Sequence, residues 1–305
     1  ATNLTEYGGE WRSQLELGNE PALSSEYYVP LTRKRGIFSR SIYEFESINW
    51  ALDSTSALPI TIKQNLHQIR QGLGWNFSRY GLVEFGLLVE FGFLENDFLL
   101  TKDISYNTHG GYLAFGYDDL DSAVFPTQGK RFLVTLKKRY EDVNNVGLVS
   151  GGLSNFDADS LQLDVEWKGA FNLGSHAFVS KVDFARMYVG DGKESIKIAQ
   201  LGGFLNLSGY NPRALTGPHK LFGALIYQYN LRGGLFKKTQ LPFYLGLSAE
   251  AGNVWSQESD IDLNDLIFSS SIYLGTDTRM GPIALGYGFS EAGEKSIYFY
   301  LGYKL

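Results

Sequence analysis

The 305-residue chain contains no cysteine, which excludes both a disulfide framework and a cysteine-ligated metal site. It also has no excess of positive charge, because 27 Lys and Arg residues stand against 33 Asp and Glu residues, for a formal net charge of −6. Binding to nucleic-acid phosphates needs clustered Lys and Arg side chains. Nucleic acid is therefore not expected as a partner.

Long hydrophobic runs are missing as well. The most apolar stretch, residues 81–94, is interrupted by Glu84 and Glu90, so no segment approaches the ~18 uncharged apolar residues of a transmembrane helix. A strand of a membrane barrel needs only about 9–11 residues, of which every second one is apolar. A membrane protein built from strands thus remains open.

Catalytic signatures are absent from the sequence: there is no G-x-S-x-G elbow, no P-loop, no dinucleotide fingerprint and no H-E-x-x-H pair. The four histidines are scattered, so no catalytic residue, metal or cofactor is expected. Acidic residues on strands could be read as catalytic carboxylate pairs. We interpret them instead as a water-facing wall balanced by nearby cations; the acids are Glu84, Glu90, Asp164 and Glu166, and the cations are Lys137, Arg139 and Lys168.

The chain does contain long segments that alternate with period two. From Leu161 to Phe171 the odd positions are apolar or glycine, whereas the even positions up to Lys168 are polar or charged. The same alternation recurs in residues 83–93, 243–250 and 297–305. A soluble β-sandwich is the alternative, but its inner faces must be filled with apolar side chains. The pattern therefore favours an all-β fold, an antiparallel transmembrane β-barrel that occupies residues 1–305 as one domain.

About fourteen strands are expected in this chain. We place them at residues 9–18, 21–32, 36–51, 59–77, 80–95, 103–117, 129–142, 157–172, 174–189, 219–232, 241–254, 265–276, 281–290 and 295–305. Most connections are short, and long ones are expected at 118–128, 142–156 and 190–219. Alternation of short and long connections is typical of the two sides of a bacterial outer-membrane barrel.

The last long connection has an unusual composition for a loop. Residues 200–218 read QLGGFLNLSGYNPRALTGP, so large apolar side chains stand among glycines. Leaving such a loop in water would expose an apolar patch. We expect it to fold back and pack in the lumen; an extra strand pair with a glycine-rich bend is the alternative.

Three motifs follow one another along the chain: D-S-x-x-F-P-T-x-G at 121–129, LGG followed by LSGY at 201–210, and EAGNVW at 250–255. They resemble, in that order, the strand-opening turn, the sixth outer loop and the acidic strand facing that loop in the BamA/TamA/FhaC superfamily of outer-membrane barrels. The resemblance implies site residues in four groups. They are the lumen-loop residues Gly202, Gly203, Leu207, Ser208, Gly209, Tyr210 and Arg213; the facing-strand residues Glu250 and Gly252; the turn residues Asp121, Phe125, Pro126 and Gly129; and the terminal-strand residues Gly302, Tyr303 and Leu305.

Two further motifs lie near the start of the chain: Gly8–Arg12 reads GGEWR, and Tyr27–Leu31 reads YYVPL. Within the superfamily, they most resemble the barrels of patatin-like type V autotransporters. This resemblance implies a bacterial outer-membrane barrel that translocates or anchors an N-terminal patatin-like lipase passenger, with any lipase activity outside this chain. A BamA-type insertase and a passive porin are the alternatives, and the apolar loop argues against the porin.

The implied partners are outer-membrane lipid, a passenger domain in cis and the outer-membrane assembly machinery, with a homodimer as a further option. Two positions depart from the superfamily pattern. Ser208 stands where most members have an Arg that pairs with the acidic residue at position 250, which leaves Arg213 as the candidate cation, and Leu305 replaces the usual terminal Phe.

The resemblance also implies strands that precede this chain. Five strands follow the sixth loop both in the superfamily and here, but only nine precede it instead of eleven. We therefore expect the sixteen-stranded family barrel to be two strands short at the N-terminal side of Ala1, with the POTRA and patatin-like domains also outside the chain.

Overall fold

A computed structural model describes residues 2–17, 20–34, 36–51, 61–96, 104–148, 152–190, 195, 199–231, 241–278 and 281–302. Its strands are β1 Glu10–Glu16, β2 Ala22–Pro30, β3 Ile37–Ala51, β4 Thr61–Asn76, β5 Gly81–Asn96, β6 Ile104–Asp118, β7 Gly129–Leu148, β8 Gly152–Leu173, β9 His176–Val189, β10 Ala199–Leu201, β11 Leu215–Gly217, β12 His219–Asn230, β13 Phe243–Trp255, β14 Ile267–Thr278, β15 Gly281–Ser290 and β16 Lys295–Leu301. Two single-turn 3₁₀ helices, Glu258–Asp260 and Leu263–Asp265, join β13 to β14. Among the described residues there is no helix with the length and apolarity that a bilayer crossing requires.

Fourteen of the strands form one sheet in chain order, and β10 and β11 pair with each other in a separate two-stranded sheet. Strand β9 therefore pairs with β12 across the intervening hairpin, from His219 opposite Arg186 to Tyr229 opposite His176. Nine strands precede the hairpin and five follow it, as the sequence predicted. The all-β antiparallel fold expected from the period-two pattern is confirmed.

One predicted connection is wrong. Residues 142–156 were expected to be a long loop because they are rich in Asn, Gly and Ser, which favour turns. Instead β7 continues to Leu148 and β8 begins at Gly152. Ladder hydrogen bonds use backbone groups, so two paired strands can extend through polar residues that would not form a strand alone.

The long connections also do not share one end of the sheet. In a sheet whose neighbours follow chain order, successive connections lie at opposite ends. Three strands, β7, β8 and β9, separate the connection after β6 from the one after β9, so residues 119–128 lie at the end opposite to the loop before β12.

The chain divides into two compact units, of which the first comprises Ala1–Gly116, Thr135–Leu163 and Met187–Ile196. Strand β5 shows the two faces of its sheet clearly. Leu87 is 70% exposed on one face, whereas Glu84 is 1% exposed on the other. We call these the apolar face and the polar face. A transmembrane barrel turns its apolar face to lipid.

Buried carboxylates on the polar face of the first unit are paired with cations and hydroxyl groups. Glu84 forms an ion pair with Arg40 and accepts a hydrogen bond of 2.5 Å from Tyr112. Glu90 lies 3.7 Å from Arg139, whose guanidinium donates to Gln162 at 2.6 Å. These contacts satisfy charges that would be costly to bury alone.

The second unit comprises Tyr117–Val134, Asp164–Arg186 and Lys197–Leu305. In β13, Leu245 and Leu247 are exposed on the apolar face, while Ser248 and Glu250 are buried on the polar face. In β16, Ile297 is 78% exposed on the apolar face. The terminal-strand residue Gly302 follows the end of β16 with φ 121°, and Tyr303 and Leu305 lie outside the described residues.

Candidate functional site

The segment from Ala199 to Gly217 is a short hairpin that carries an apolar turn. Its base is formed by β10 and β11, in which Ala199 pairs with Gly217 and Leu201 with Leu215. The turn between them packs back on the polar face of the second unit. The segment therefore combines the two expected arrangements, a strand pair at the base and a packed loop at the tip. We refer to residues 199–217 as the inserted hairpin.

Tight backbone turns shape the tip of the inserted hairpin. Gly202 and Gly203 have φ values of 123° and 118°, which side chains with a Cβ rarely adopt. The N–H of Gly202 donates to the carbonyl of Asn206 at 3.0 Å, and the N–H of Asn206 donates back to Gly203 at 3.0 Å. Leu207 also lies in the left-handed region, at φ 73°. The two glycines let the chain reverse direction within a few residues.

A carboxylate of the wall binds the tip of the inserted hairpin directly. The backbone N–H of Ser208 donates to Glu250 Oε2 at 2.6 Å, and the Ser208 hydroxyl donates to Oε1 at 2.6 Å. Ser208 is fully buried and Glu250 is 3% exposed. Hydrogen bonds to a buried charged acceptor are stronger than those between neutral groups. Glu250 thus holds the hairpin through the backbone and the side chain of one residue.

Serines of the neighbouring strands complete the polar contacts around Glu250. Ser248 donates to Glu250 Oε1 at 2.5 Å and lies 2.7 Å from the hydroxyl of Ser271. One residue further along the hairpin, the N–H of Gly209 donates to Ser269 Oγ at 2.7 Å. The polar wall therefore supplies acceptors for two consecutive backbone N–H groups of the hairpin.

Strand β16 contributes the second row of contacts. The hydroxyl of Tyr298 lies 3.0 Å from the carbonyl oxygen of Ser208 and is also within hydrogen-bonding distance of the carbonyl of Tyr210. Ser296 donates to the carbonyl of Gly209 at 3.2 Å. Tyr210, one of the lumen-loop residues named from the sequence, thus contributes its backbone carbonyl to the contact with Tyr298.

Apolar packing accompanies these hydrogen bonds. Phe204 meets the ring of Tyr273 edge-on, with 5.2 Å between ring centroids, and lies 5.7 Å from Tyr298. Leu201 and Leu207 are fully buried in the same cluster. Burial of such side chains contributes roughly 1.5–3 kcal/mol each.

Glycines in the wall make the close approach feasible. A Cβ added at Gly288 of β15 would overlap the carbonyl oxygen of Ser208, and one at Gly286 would lie 2.8 Å from Phe204. In β13, a Cβ at Gly252 would lie 3.1 Å from Leu201. The inserted hairpin therefore rests on backbone where most strands would present side chains.

The strand-opening turn enters the same cluster from the other end of the sheet. Asp121 accepts hydrogen bonds from the N–H groups of Thr127 at 2.8 Å and Gln128 at 3.1 Å, which closes the turn before β7. Gly129 begins that strand with φ 99°. Phe125 is fully buried, 5.7 Å from Tyr244 between ring centroids.

Backbone carbonyls of this turn are held by side chains of the wall. Gln228 donates to the carbonyl of Pro126 at 3.4 Å, and Lys168 donates to that of Ala123 at 3.0 Å. Val124, Phe125 and Phe204 belong to one hydrophobic cluster. We call residues 119–128 the end turn.

The structure places the hairpin, facing-strand and turn residues named from the sequence in two groups. The hairpin residues surround Glu250 and Gly252, while Asp121, Phe125, Pro126 and Gly129 form the end turn. Arg213 lies where the hairpin returns to β11, with φ 59° and its N–H 3.4 Å from the carbonyl of Gly202. In the described part of the chain, the donors that bind Glu250 are Ser208 and Ser248.

Sequence reasoning missed the partners on the wall. Ser248, Ser269 and Tyr298 were not singled out, although each lies on the polar side of an alternating strand. Gly288 was also missed, because a glycine in a strand does not indicate which segment packs against it. The one available signal was that glycines and serines alternate along β13, β14 and β15 on the same side. Such a surface of small and polar side chains can receive another segment of the chain.

The contacts of Glu250 hold the inserted hairpin in place. The Ser208 hydroxyl and the Ser208 N–H both donate to the carboxylate of Glu250. No histidine contacts Ser208 or Glu250 in the residues that the structure describes, and these residues contain no cluster of three or more potential metal ligands. The site therefore fixes the inserted hairpin on the polar face.

No family model matches the chain, and no curated protein matches it either. Among solved structures, the fold is similar to BamA from Haemophilus ducreyi lacking POTRA domains 1–3, with a TM-score of 0.72 and 14% identity over 96% of this chain. This chain has a BamA-type barrel fold. CdiB from Escherichia coli and CdiB from Acinetobacter baumannii are also similar, each with a TM-score of 0.57, at 11% and 13% identity over 92% and 95% of this chain.

The chain spans 64% of the length of that BamA structure and 52% and 51% of the two CdiB structures. The BamA-type barrel fold confirms the superfamily resemblance at the level of architecture. The closer likeness to patatin-like autotransporters has no counterpart among these structures.

Proposed function

We infer that the chain is the outer-membrane barrel of a type V secretion system, and that it translocates or anchors a passenger joined to its N-terminal side. The patatin-like lipase implied by the sequence resemblance is the proposed passenger. The observation that supports this inference is that the inserted hairpin is bound to Glu250 on the polar face. A passive porin needs an open, water-filled lumen and does not require an apolar element at that place.

The polar face suits the passage of an extended polypeptide. Its buried acids are paired with cations within the wall, as in Arg40 with Glu84 and Arg139 with Glu90. Paired charges leave no large field of one sign that would retain a charged segment. A chain of mixed composition can therefore slide along such a wall without strong binding at one place.

A BamA-type insertase is the second candidate, because the TM-score to BamA, 0.72, exceeds that to either CdiB structure, 0.57. The two proposals differ in the protein on which the barrel acts. A translocator acts on its own passenger, whereas an insertase acts on other barrels and its loss lowers their abundance in the membrane.

The test uses the full-length precursor in its own cells. We expect the region upstream of Ala1 to encode a lipase domain and one POTRA domain, and the passenger to be cleaved by protease added to intact cells. Glu250→Ala should strongly reduce the fraction of passenger that the protease cleaves. The matched control is Glu258→Gln, because Glu258 is an exposed acid that pairs with Arg186. A passenger that remains inside wild-type cells, or an upstream region with several POTRA domains and no passenger, would contradict the proposal.

A further inference from the structure

A groove lies on the apolar face of the second unit. It crosses strands β8, β9, β12 and β13 and has a volume of about 720 Å³. Sites for small molecules are typically clefts of ~300–1,000 Å³. We call this groove the apolar groove, because its walls are large apolar side chains, namely Phe171, Phe178, Leu225, Tyr227 and Leu247.

Short side chains and a flat indole ring form the floor of the apolar groove. Gly169 of β8, Ser180 of β9 and Ala249 of β13 add little bulk there. The indole N–H of Trp167 donates to Ser180 Oγ at 3.0 Å, and a Cβ added at Gly169 would lie 2.8 Å from the indole ring. The ring is therefore held down along the strands and leaves space above it.

The groove opens on the surface that a transmembrane barrel turns to lipid. Phe171 is 58% exposed, and Leu225, which pairs with Ala249 across β12 and β13, is 70% exposed. An empty groove beside hydrocarbon would lose the dispersion contacts of its walls. The ligand that suits this groove is therefore apolar over most of its length.

One end of the apolar groove carries a positive charge. Among the described residues that line the groove, Lys130 is the one with a charged side chain. It is the second residue of β7. The next residue, Arg131, lies 3.5 Å from Glu166 on the polar face, so strand alternation places Lys130 on the apolar face.

The ammonium group of Lys130 is available to a ligand. It lies 5.5 Å from the centre of the Tyr117 ring, a contact that leaves its three N–H donors free to bind an acceptor. The nearby carboxylate of Asp119 accepts from the backbone N–H of Lys130 at 2.6 Å and from the Tyr117 hydroxyl at 3.1 Å. Since β7 begins directly after the end turn, the long side chain can reach the boundary between lipid and water.

The length of the groove matches one acyl chain. Four strand spacings of about 4.8 Å separate β7 from β13 in the sheet, so about 19 Å separate the strand of Lys130 from that of Ala249. The acyl chains of one leaflet span about 15 Å, half of the ~30 Å hydrocarbon core. A chain that begins at Lys130 can therefore lie along most of the groove.

We propose that the apolar groove binds one glycerophospholipid of the surrounding bilayer, with an acyl chain over Gly169 and Ser180 and the phosphate on the Lys130 ammonium. The negative phosphate complements the charged end of the groove, and the chain complements its apolar walls. The inference uses the lipid-facing orientation of the apolar face. It does not depend on what the barrel transports.

The test is native mass spectrometry of the full-length protein in detergent, titrated with dioleoylphosphatidylglycerol or with dioleoylglycerol, which has the same chains and no phosphate. We expect the wild type to retain one phosphatidylglycerol more tightly than any further lipid. Lys130→Met should weaken that binding roughly tenfold, because a charged hydrogen bond is lost, and should leave dioleoylglycerol binding unchanged. Lys34→Met is the matched control, because Lys34 is an exposed lysine in the β2–β3 connection at the same end of the sheet.

A second variant tests the place of the acyl chain. Ala249→Trp fills the groove from β13 and should weaken the binding of both lipids. Leu285→Trp adds the same ring on the apolar face of β15, where Leu285 is 58% exposed, and should not. Equal phosphatidylglycerol binding by the wild type and Lys130→Met, or unchanged binding by Ala249→Trp, would overturn the proposal. A lipid-free wild-type dimer that Ala249→Trp dissociates would overturn it as well and would identify a second copy of the chain as the occupant.

Discussion

Replacement of Glu250 by Gln should loosen the inserted hairpin without unfolding the wall. The carboxylate accepts three hydrogen bonds at 2.5–2.6 Å, two from Ser208 and one from Ser248. A hydrogen bond to a charged group contributes about 1.5–3 kcal/mol and one between neutral groups about 0.5–1.5 kcal/mol. Since Gln has nearly the same shape, the loss is about 1 kcal/mol per bond, or about 2–3 kcal/mol in all.

Hydrogen exchange at the tip of the hairpin measures this loss. The N–H of Ser208 donates to Glu250 and that of Gly209 to Ser269, so both amides exchange only when the hairpin leaves the wall. A loss of about 2–3 kcal/mol corresponds to exchange roughly 30- to 140-fold faster. Glu250→Ala should have a larger effect, because it leaves the buried Ser208 N–H without an acceptor, at a further cost of about 1–3 kcal/mol.

Glu84→Gln is the matched control, because Glu84 is an equally buried acid in the first unit that pairs with Arg40. It should leave exchange at the Ser208 and Gly209 amides unchanged. Wild-type exchange rates at these amides in both Glu250 variants would refute the reasoning that the carboxylate holds the hairpin.

Three further substitutions or deletions test the seat of the hairpin. Gly288→Ala should displace the hairpin and make it sensitive to protease, because the new methyl group would overlap the Ser208 carbonyl. Gly223→Ala is the control, since a Cβ at Gly223 would have no neighbour closer than 3.9 Å. Equal proteolysis of the two variants would count against close packing of the hairpin on β15. Ser208→Arg should lower the melting temperature instead of restoring a salt bridge with Glu250, since Ser208 is fully buried, and a stabilised variant would show that space for the longer side chain exists. Deletion of residues 203–217 should raise single-channel conductance in planar bilayers, and an unchanged conductance would mean that the hairpin does not narrow the pore.

The period-two pattern predicted the order of the sheet strands and their two faces, but it did not predict the ends of β7 and β8. In β5, Leu87 is exposed and Glu84 is buried. The two residues are three positions apart, so strand alternation alone places their side chains on opposite faces. The hairpin was predictable as a packed element because an apolar, glycine-rich loop cannot remain in water. Packing in the lumen opposite the Glu250 strand was expected, but the other residues that receive the hairpin required the tertiary structure, because they come from β13, β14, β15 and β16.

The misjudged features depend on pairing that the sequence does not display. Strands β7 and β8 extend into a segment of turn-forming residues because each satisfies the backbone of the other. The contacts of Glu250 could not be assigned from side-chain charge, because one of its three hydrogen bonds comes from the backbone N–H of Ser208 and two come from serine hydroxyls. An approach of Arg213 to Glu250 stays a prediction.

The central claim, that this barrel passes its own passenger along its polar face, is tested most directly by photo-crosslinking during secretion. A photoreactive residue at position 164 projects from the polar face of β8, and one at the adjacent position 165 projects from the apolar face. With a passenger stalled by a folded domain, we expect position 164 to crosslink to the passenger of the same chain and position 165 to crosslink to lipid. Crosslinks from position 164 only to other membrane proteins, or no difference between the two positions, would contradict the account.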